Sequence, residues 1–149
     1  MKHRSTKTYG NDRGLSACFR QWRATHSHCS LLHGYAIGVH FEFGADTLDH
    51  NNWVYDFGNC KWIKKYLEDT FDHKTLVASD DPKKTFYYDL QNAGLIDLIE
   101  VPQIGCEAFA EMIFNHVAPK IEQETNGRVK LLHVKVFEHA ANSASRYAV

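Results

Sequence analysis

From His33 to Gly44 the chain alternates with period two: Tyr35, Ile37, Val39 and Phe41 fall on one side, Ala36, Gly38, His40 and Glu42 on the other. An extended strand puts two such sets on opposite faces, so this segment predicts a strand with one face against a core. Elsewhere the apolar period lengthens. Cys60, Ile63, Tyr66, Leu67 and Phe71 recur at helical steps, with Lys61, Lys64, Lys65 and Glu68 on the other side. Phe109, Met112, Ile113, Val117 and Ile121 make a second stripe over Cys106 to Glu124, with Pro119 a kink near its end. A chain carrying both periods lays helices on a sheet, which is the α+β class.

Shorter signals fill in the order. Leu15 to Ala24 reads as a strand, and Trp53-Val54-Tyr55 as a short one running into a helix capped by Asp56. Asp80-Asp81-Pro82 starts a small helix with Phe86, Tyr87 and Leu90, and Leu95 to Val101 follows as a strand. Arg128 to Phe137 is the last strand, before Glu138-His139 and a small-residue tail. Residues 1–11 are polar and aperiodic and read as a flexible N-terminal arm; residues 12–149 form a single domain.

Seventeen Lys and Arg against 18 Asp and Glu leave a formal net charge of −1, which excludes a global field for nucleic acid or an anionic membrane surface. No apolar run approaches the roughly 20 residues of a membrane span, and the start lacks the apolar core of a signal peptide. The chain therefore reads as soluble and cytoplasmic. Four cysteines without CxxC pairs read as reduced thiols. Of ten histidines, His26, His28 and His33 crowd around Cys29 on the connection between the first two strands, where binding groups commonly sit.

Five segments together resemble the 6-pyruvoyl-tetrahydropterin synthase and 6-carboxytetrahydropterin synthase family. Cys29-Ser30-Leu31-Leu32-His33-Gly34-Tyr35 is similar to its Cys-x-x-x-His-Gly-His motif, Val54-Tyr55-Asp56-Phe57 to its entry into the first helix, and Phe71-Asp72-His73-Lys74-Thr75-Leu76 to its Leu-Asp-His-x-x-Leu segment. Ile104-Gly105-Cys106-Glu107-Ala108 matches the family's Pro-Thr-x-Glu-Asn at its Glu, and Val134 to Glu138 resembles the closing strand. The resemblance implies the tunnelling fold: an antiparallel sheet with two long helices on one face, joined by oligomerisation into a barrel, as a homohexamer with active sites at subunit boundaries. It also implies a lyase acting on a reduced pterin, with Zn2+ as cofactor.

By the same resemblance Cys29, Asp72 and His73 are the catalytic set, while Glu107 and Glu138 hold the pterin, Glu138 as the anchor. Read alone, Cys29 is a buried reduced thiol, Asp72 and His73 decorate a helix end, and Glu107 is a favourable charge on a helix dipole. A carboxylate can accept from the paired ring N–H and amino donors of a pterin. The zinc pattern departs from the family: Phe19 and Tyr35 stand where two of its histidines belong, which leaves His33 by direct correspondence. His28, with His26 as a possible third, would have to complete the site. Its competitor is a zinc-free pocket in which these imidazoles form hydrogen bonds. His40, on the opposite face from His33, reads as structural. Arg20, Arg23 and Lys74 are candidates for substrate phosphates, each otherwise an ordinary surface charge.

The expected activity is a 6-carboxytetrahydropterin synthase-like lyase converting 7,8-dihydroneopterin triphosphate on the route to 7-deazaguanine (queuosine precursor) compounds. The alternatives are a 6-pyruvoyl-tetrahydropterin synthase, a non-catalytic pterin- or purine-binding module, and a metal-free aldolase.

Overall fold

The computed structural model describes residues 1–149 apart from the Arg13 side chain. Ten elements follow one another: β1 (His3–Tyr9), β2 (Leu15–Phe19), β3 (His33–Ala45), α1 (Lys61–Phe71), β4 (Lys74–Ala78), α2 (Lys84–Asn92), β5 (Leu98–Val101), α3 (Cys106–Glu124), β6 (Val129–His139) and β7 (Asn142–Tyr147). The strands form one seven-stranded sheet in the order β5-β4-β2-β3-β6-β7, with β1 also on β3. Long β3 is the spine: β2 pairs along His33–Ile37 and β1 along Val39–Ala45.

Several expectations are corrected here. The N-terminal residues are no loose arm, because His3–Tyr9 form β1 in antiparallel register with β3. Of its inward side chains only Tyr9 joins the core; His3, Ser5 and Lys7 are polar, so the strand carries no apolar alternation. Lys74–Ala78 forms the unforeseen strand β4, parallel to both β2 and β5, and the sheet is therefore mixed rather than antiparallel. Thr75 to Ala78 are buried in succession, as expected of a strand covered on both faces. The small-residue tail is strand β7, paired with β6. Trp53 to Tyr55 make no strand. The first strand stops at Phe19, five residues before the expected Ala24.

Asp56 does cap a helical turn, its carboxylate accepting from the Gly58 N–H at 2.9 Å, but that turn is 3-10 over Phe57–Cys60 and α1 begins at Lys61. Helix α3 runs through Pro119 to Glu124. Helices α1 and α3 share the main core: Phe71 meets Phe109 edge-on at 5.2 Å, and Tyr66 stacks on His116 at 3.8 Å. Leu76 and Ala78 of β4 point into that core, whereas Val77 between them packs with Tyr87 of α2 and with Leu98. Helix α2 therefore covers the opposite face, and helices lie on both sides of this end of the sheet. Among the described residues no helix is long and apolar enough to cross a membrane.

Candidate functional site

Beyond Phe19 the chain leaves β2 and returns to β3 at His33 through a loop held by side chains. The Gln21 N–H donates to Cys29 O at 2.7 Å, and its amide Nε2 to Ile104 O at 3.1 Å, which ties the loop to the start of α3. Ser27 caps the turn His28–Ser30, its hydroxyl accepting from the Cys29 N–H at 3.2 Å. Arg20 binds Asp81 through two parallel bonds, of 3.0 and 2.7 Å, and also donates to Ser30 O at 3.3 Å. Trp22 donates to Asp80 at 3.1 Å, and Arg23 pairs with the same carboxylate.

These bonds place Cys29 at a cleft of about 360 Å³ shared with Phe19, Tyr35, Cys106, Glu107 and Glu138. That volume is in the range of small-molecule sites, roughly 300–1,000 Å³. Glu107 comes from the first turn of α3 and Glu138 from the end of β6, so a helix N-terminus and a strand end converge two carboxylates. Cys106 Sγ lies 3.9 Å from Glu138 Oε1. Burial, with the charges of Glu138 and Glu107, pushes the Cys106 thiol up to about 12, and burial followed by Glu138 does the same to the Tyr35 phenol. Both stay protonated near neutral pH. The cleft thus presents carboxylate acceptors, a neutral phenol, a buried thiol and one exposed thiol, Cys29.

A larger cavity, about 730 Å³, lies between Lys2–Ser5 and Leu48–Gly58. It holds no thiol and none of the residues expected at the site, so the chemistry assigns the smaller cleft.

Asp72 and His73 sit elsewhere. They follow α1, where His73 takes a left-handed backbone conformation at φ 58°. Its N–H donates to Ser16 O at 2.7 Å, while Asp72 Oδ1 accepts from Ser16 N at 3.2 Å and lies 2.9 Å from His73 Nδ1. Of this oriented carboxylate–imidazole pair, His73 lines a different cleft, with Cys18 and Lys74. Within one chain the expected set of Cys29, Asp72 and His73 is not brought together.

Nor do the expected zinc ligands assemble. His26, His28 and His33 are exposed, His33 Nδ1 lies 2.9 Å from Leu31 O, and no group of three or more His, Cys, Asp or Glu could hold a metal ion among the described residues. Phe19 and Tyr35 are instead stacked on each other. The donor set does not fit a catalytic zinc. The phosphate candidates are also engaged: Arg20 by Asp81, Arg23 by Asp80 and Lys74 by Asp97. His40 bonds the Thr8 hydroxyl at 2.7 Å, linking β3 to β1.

Sequence reasoning missed Cys106 and Gln21 as parts of the site. Cys106 adjoins Glu107, but a thiol opening an apolar helix stripe reads as core. Gln21 carries no signal of its own.

The sequence and fold have counterparts in known proteins. The chain spans 78% of its length in a match, at 27% identity over 119 residues, to 74% of the 6-carboxy-5,6,7,8-tetrahydropterin synthase of Aquifex aeolicus. Its fold superposes on that of an uncharacterised protein from Wolinella succinogenes with a TM-score of 0.81 at 17% identity, over 97% of each chain. The 6-pyruvoyl tetrahydropterin synthase of Plasmodium falciparum follows at 0.65 and 16% identity, over 97% of this chain and 99% of the other. Residues 11–148, all of the sheet but β1, match the model of 6-pyruvoyl tetrahydropterin synthase, and to that family the chain belongs.

Proposed function

We propose that the chain is a 6-carboxytetrahydropterin synthase-like lyase acting on the side chain of a reduced pterin, 7,8-dihydroneopterin triphosphate. The observation that carries this reading is the convergence of Glu138, Glu107 and the exposed Cys29 on one cleft. A pterin offers a ring N–H and an amino group side by side, and a carboxylate accepts both through charge-assisted bonds. Glu138 serves as that anchor and Glu107 supports it. With the ring so held, its C6 side chain extends toward Cys29, whose thiolate takes a proton from the side chain.

The proton then passes to the Asp72–His73 pair of a neighbouring copy, because within one chain His73 lines another cleft. That separation supports a working site at a boundary of a homo-oligomer, the hexamer implied by the family resemblance.

Incubating the protein with 7,8-dihydroneopterin triphosphate and separating the products tests the reading. A carboxypterin with acetaldehyde, absent with Cys29→Ala, is expected. A pyruvoyl pterin would indicate triphosphate elimination instead. Unchanged substrate with tight pterin binding would leave a binding module, a reading favoured by the Phe19–Tyr35 stack.

A further inference from the structure

One face of the β2–β3 ladder carries a trio of rings. Phe19 is paired with His33 and Ala17 with Tyr35, so Phe19, His33 and Tyr35 project from the same face. The Phe19 and Tyr35 rings lie parallel, 4.0 Å apart and 3° from coplanar. The His33 ring lies 4.4 Å from that of Tyr35, and Phe109 of α3 meets Phe19 edge-on at 5.2 Å. Ring packing is therefore continuous from the core to the cleft.

Two of the three positions carry no metal-binding nitrogen, and a catalytic zinc takes three protein ligands. A metal seated among them would have to part a stack braced by α3. The stack instead offers the cleft a single polar atom, the Tyr35 hydroxyl, on the wall that also holds Glu138.

We propose that this site works without metal: the Phe19–Tyr35 stack fills the place of a catalytic zinc, and the Tyr35 phenol donates a hydrogen bond to a side-chain hydroxyl of the bound heterocycle. The proposal rests on the pterin reading above and names its ligand class, a planar ring with an adjacent donor pair and a hydroxylated side chain. A neutral phenol polarises a hydroxyl less than a dication does, so more of the proton transfer falls on Cys29 and on the Asp72–His73 pair of the neighbouring copy.

Two measurements on the full chain test this. In the first, the protein is exposed to excess zinc chloride, desalted and analysed for metal. The native chain is expected to keep far less than one zinc, whereas Phe19→His with Tyr35→His should retain about one per chain and release it when His33→Ala is added. Stoichiometric zinc in the native chain, lost with His33→Ala, overturns the proposal, and that arm needs no variant of the buried Phe19.

In the second, affinities for neopterin and for pterin, which lacks the side chain, are read by fluorescence. The native chain should prefer neopterin by about fivefold, and Tyr35→Phe should bind both equally with its pterin affinity unchanged. A preference that survives Tyr35→Phe removes the phenol's role. If neither heterocycle binds the native chain, the pterin reading fails while the zinc result still decides whether the site is metal-free.

Discussion

At the scale of single residues, the four thiols differ enough to be told apart by chemistry. Cys29 is exposed, Cys18 half-buried, and Cys60 and Cys106 buried. Burial raises the Cys18 thiol, holds Cys60 at about 11 and, with Glu138 and Glu107, Cys106 at about 12. Alkylation proceeds through the thiolate. A limiting dose of iodoacetamide at pH 8 should therefore place the first carbamidomethyl group on Cys29, as read by peptide mass spectrometry; first modification at Cys106 would contradict the electrostatics described here. A second residue-scale expectation concerns Gly38, which lies beneath the Phe137 ring: a Cβ there would come within 2.3 Å of ring carbons. Gly38→Ala forces the ring to move and should cost about 1–3 kcal/mol in urea unfolding. Phe137 immediately precedes Glu138, so the same variant should weaken pterin binding by more than its loss of stability explains.

At the scale of elements, the loop bearing Cys29 depends on a latch to the β4–α2 connection. Asp81 is buried, with its carboxylate held by Arg20, by the Lys83 N–H at 2.8 Å and by Tyr87. Burial by itself would raise its pKa, but these bonds and the Arg20 charge carry it below the ordinary carboxylate value. A depressed folded pKa adds stability that is fully present above the unfolded value, about 4, and is lost as pH falls through the folded one. Asp81→Asn should therefore lower the unfolding free energy at pH 7 by about 3 kcal/mol for a broken buried pair, read as a lower urea midpoint, and flatten the acid limb of stability below pH 4. A midpoint unchanged at pH 7 would show that the latch contributes nothing. The sequence made the main elements legible, since the alternation of β3 and the stripes of α1 and α3 are direct records of one-sided burial. It hid β1, β4 and β7 for separate physical reasons: β1 and β7 are polar strands held by backbone pairing, and β4 is apolar on both faces and so has no period. The cleft was legible at Cys29, Glu107 and Glu138 because each sits in a motif, whereas the Arg20–Asp81 latch joins positions 61 residues apart and leaves no local mark.

At the scale of the whole molecule, the sheet ends in strands with open edges, β5 at one end and β7 at the other. Unpaired edges invite pairing with another chain. One protomer also holds the two halves of the proposed machinery apart, Cys29 with its carboxylates in one cleft and His73 in another. If a working site takes Cys29 from one copy and His73 from the next, an inactive Cys29→Ala protein and an inactive His73→Ala protein still carry between them every part of an intact site. Dissociating and reassembling the two variants in equal amounts should then restore about one quarter of native activity, because a random neighbour pair has both residues intact with that frequency. Each variant taken through the same treatment alone should stay inactive, and light scattering on the mixture should report the native assembly mass. Recovery in the mixture only, at that mass, would establish a shared site. A correctly assembled but inactive mixture would mean that no site shared between copies pairs Cys29 with His73, which removes the neighbour's pair from the proposed proton path.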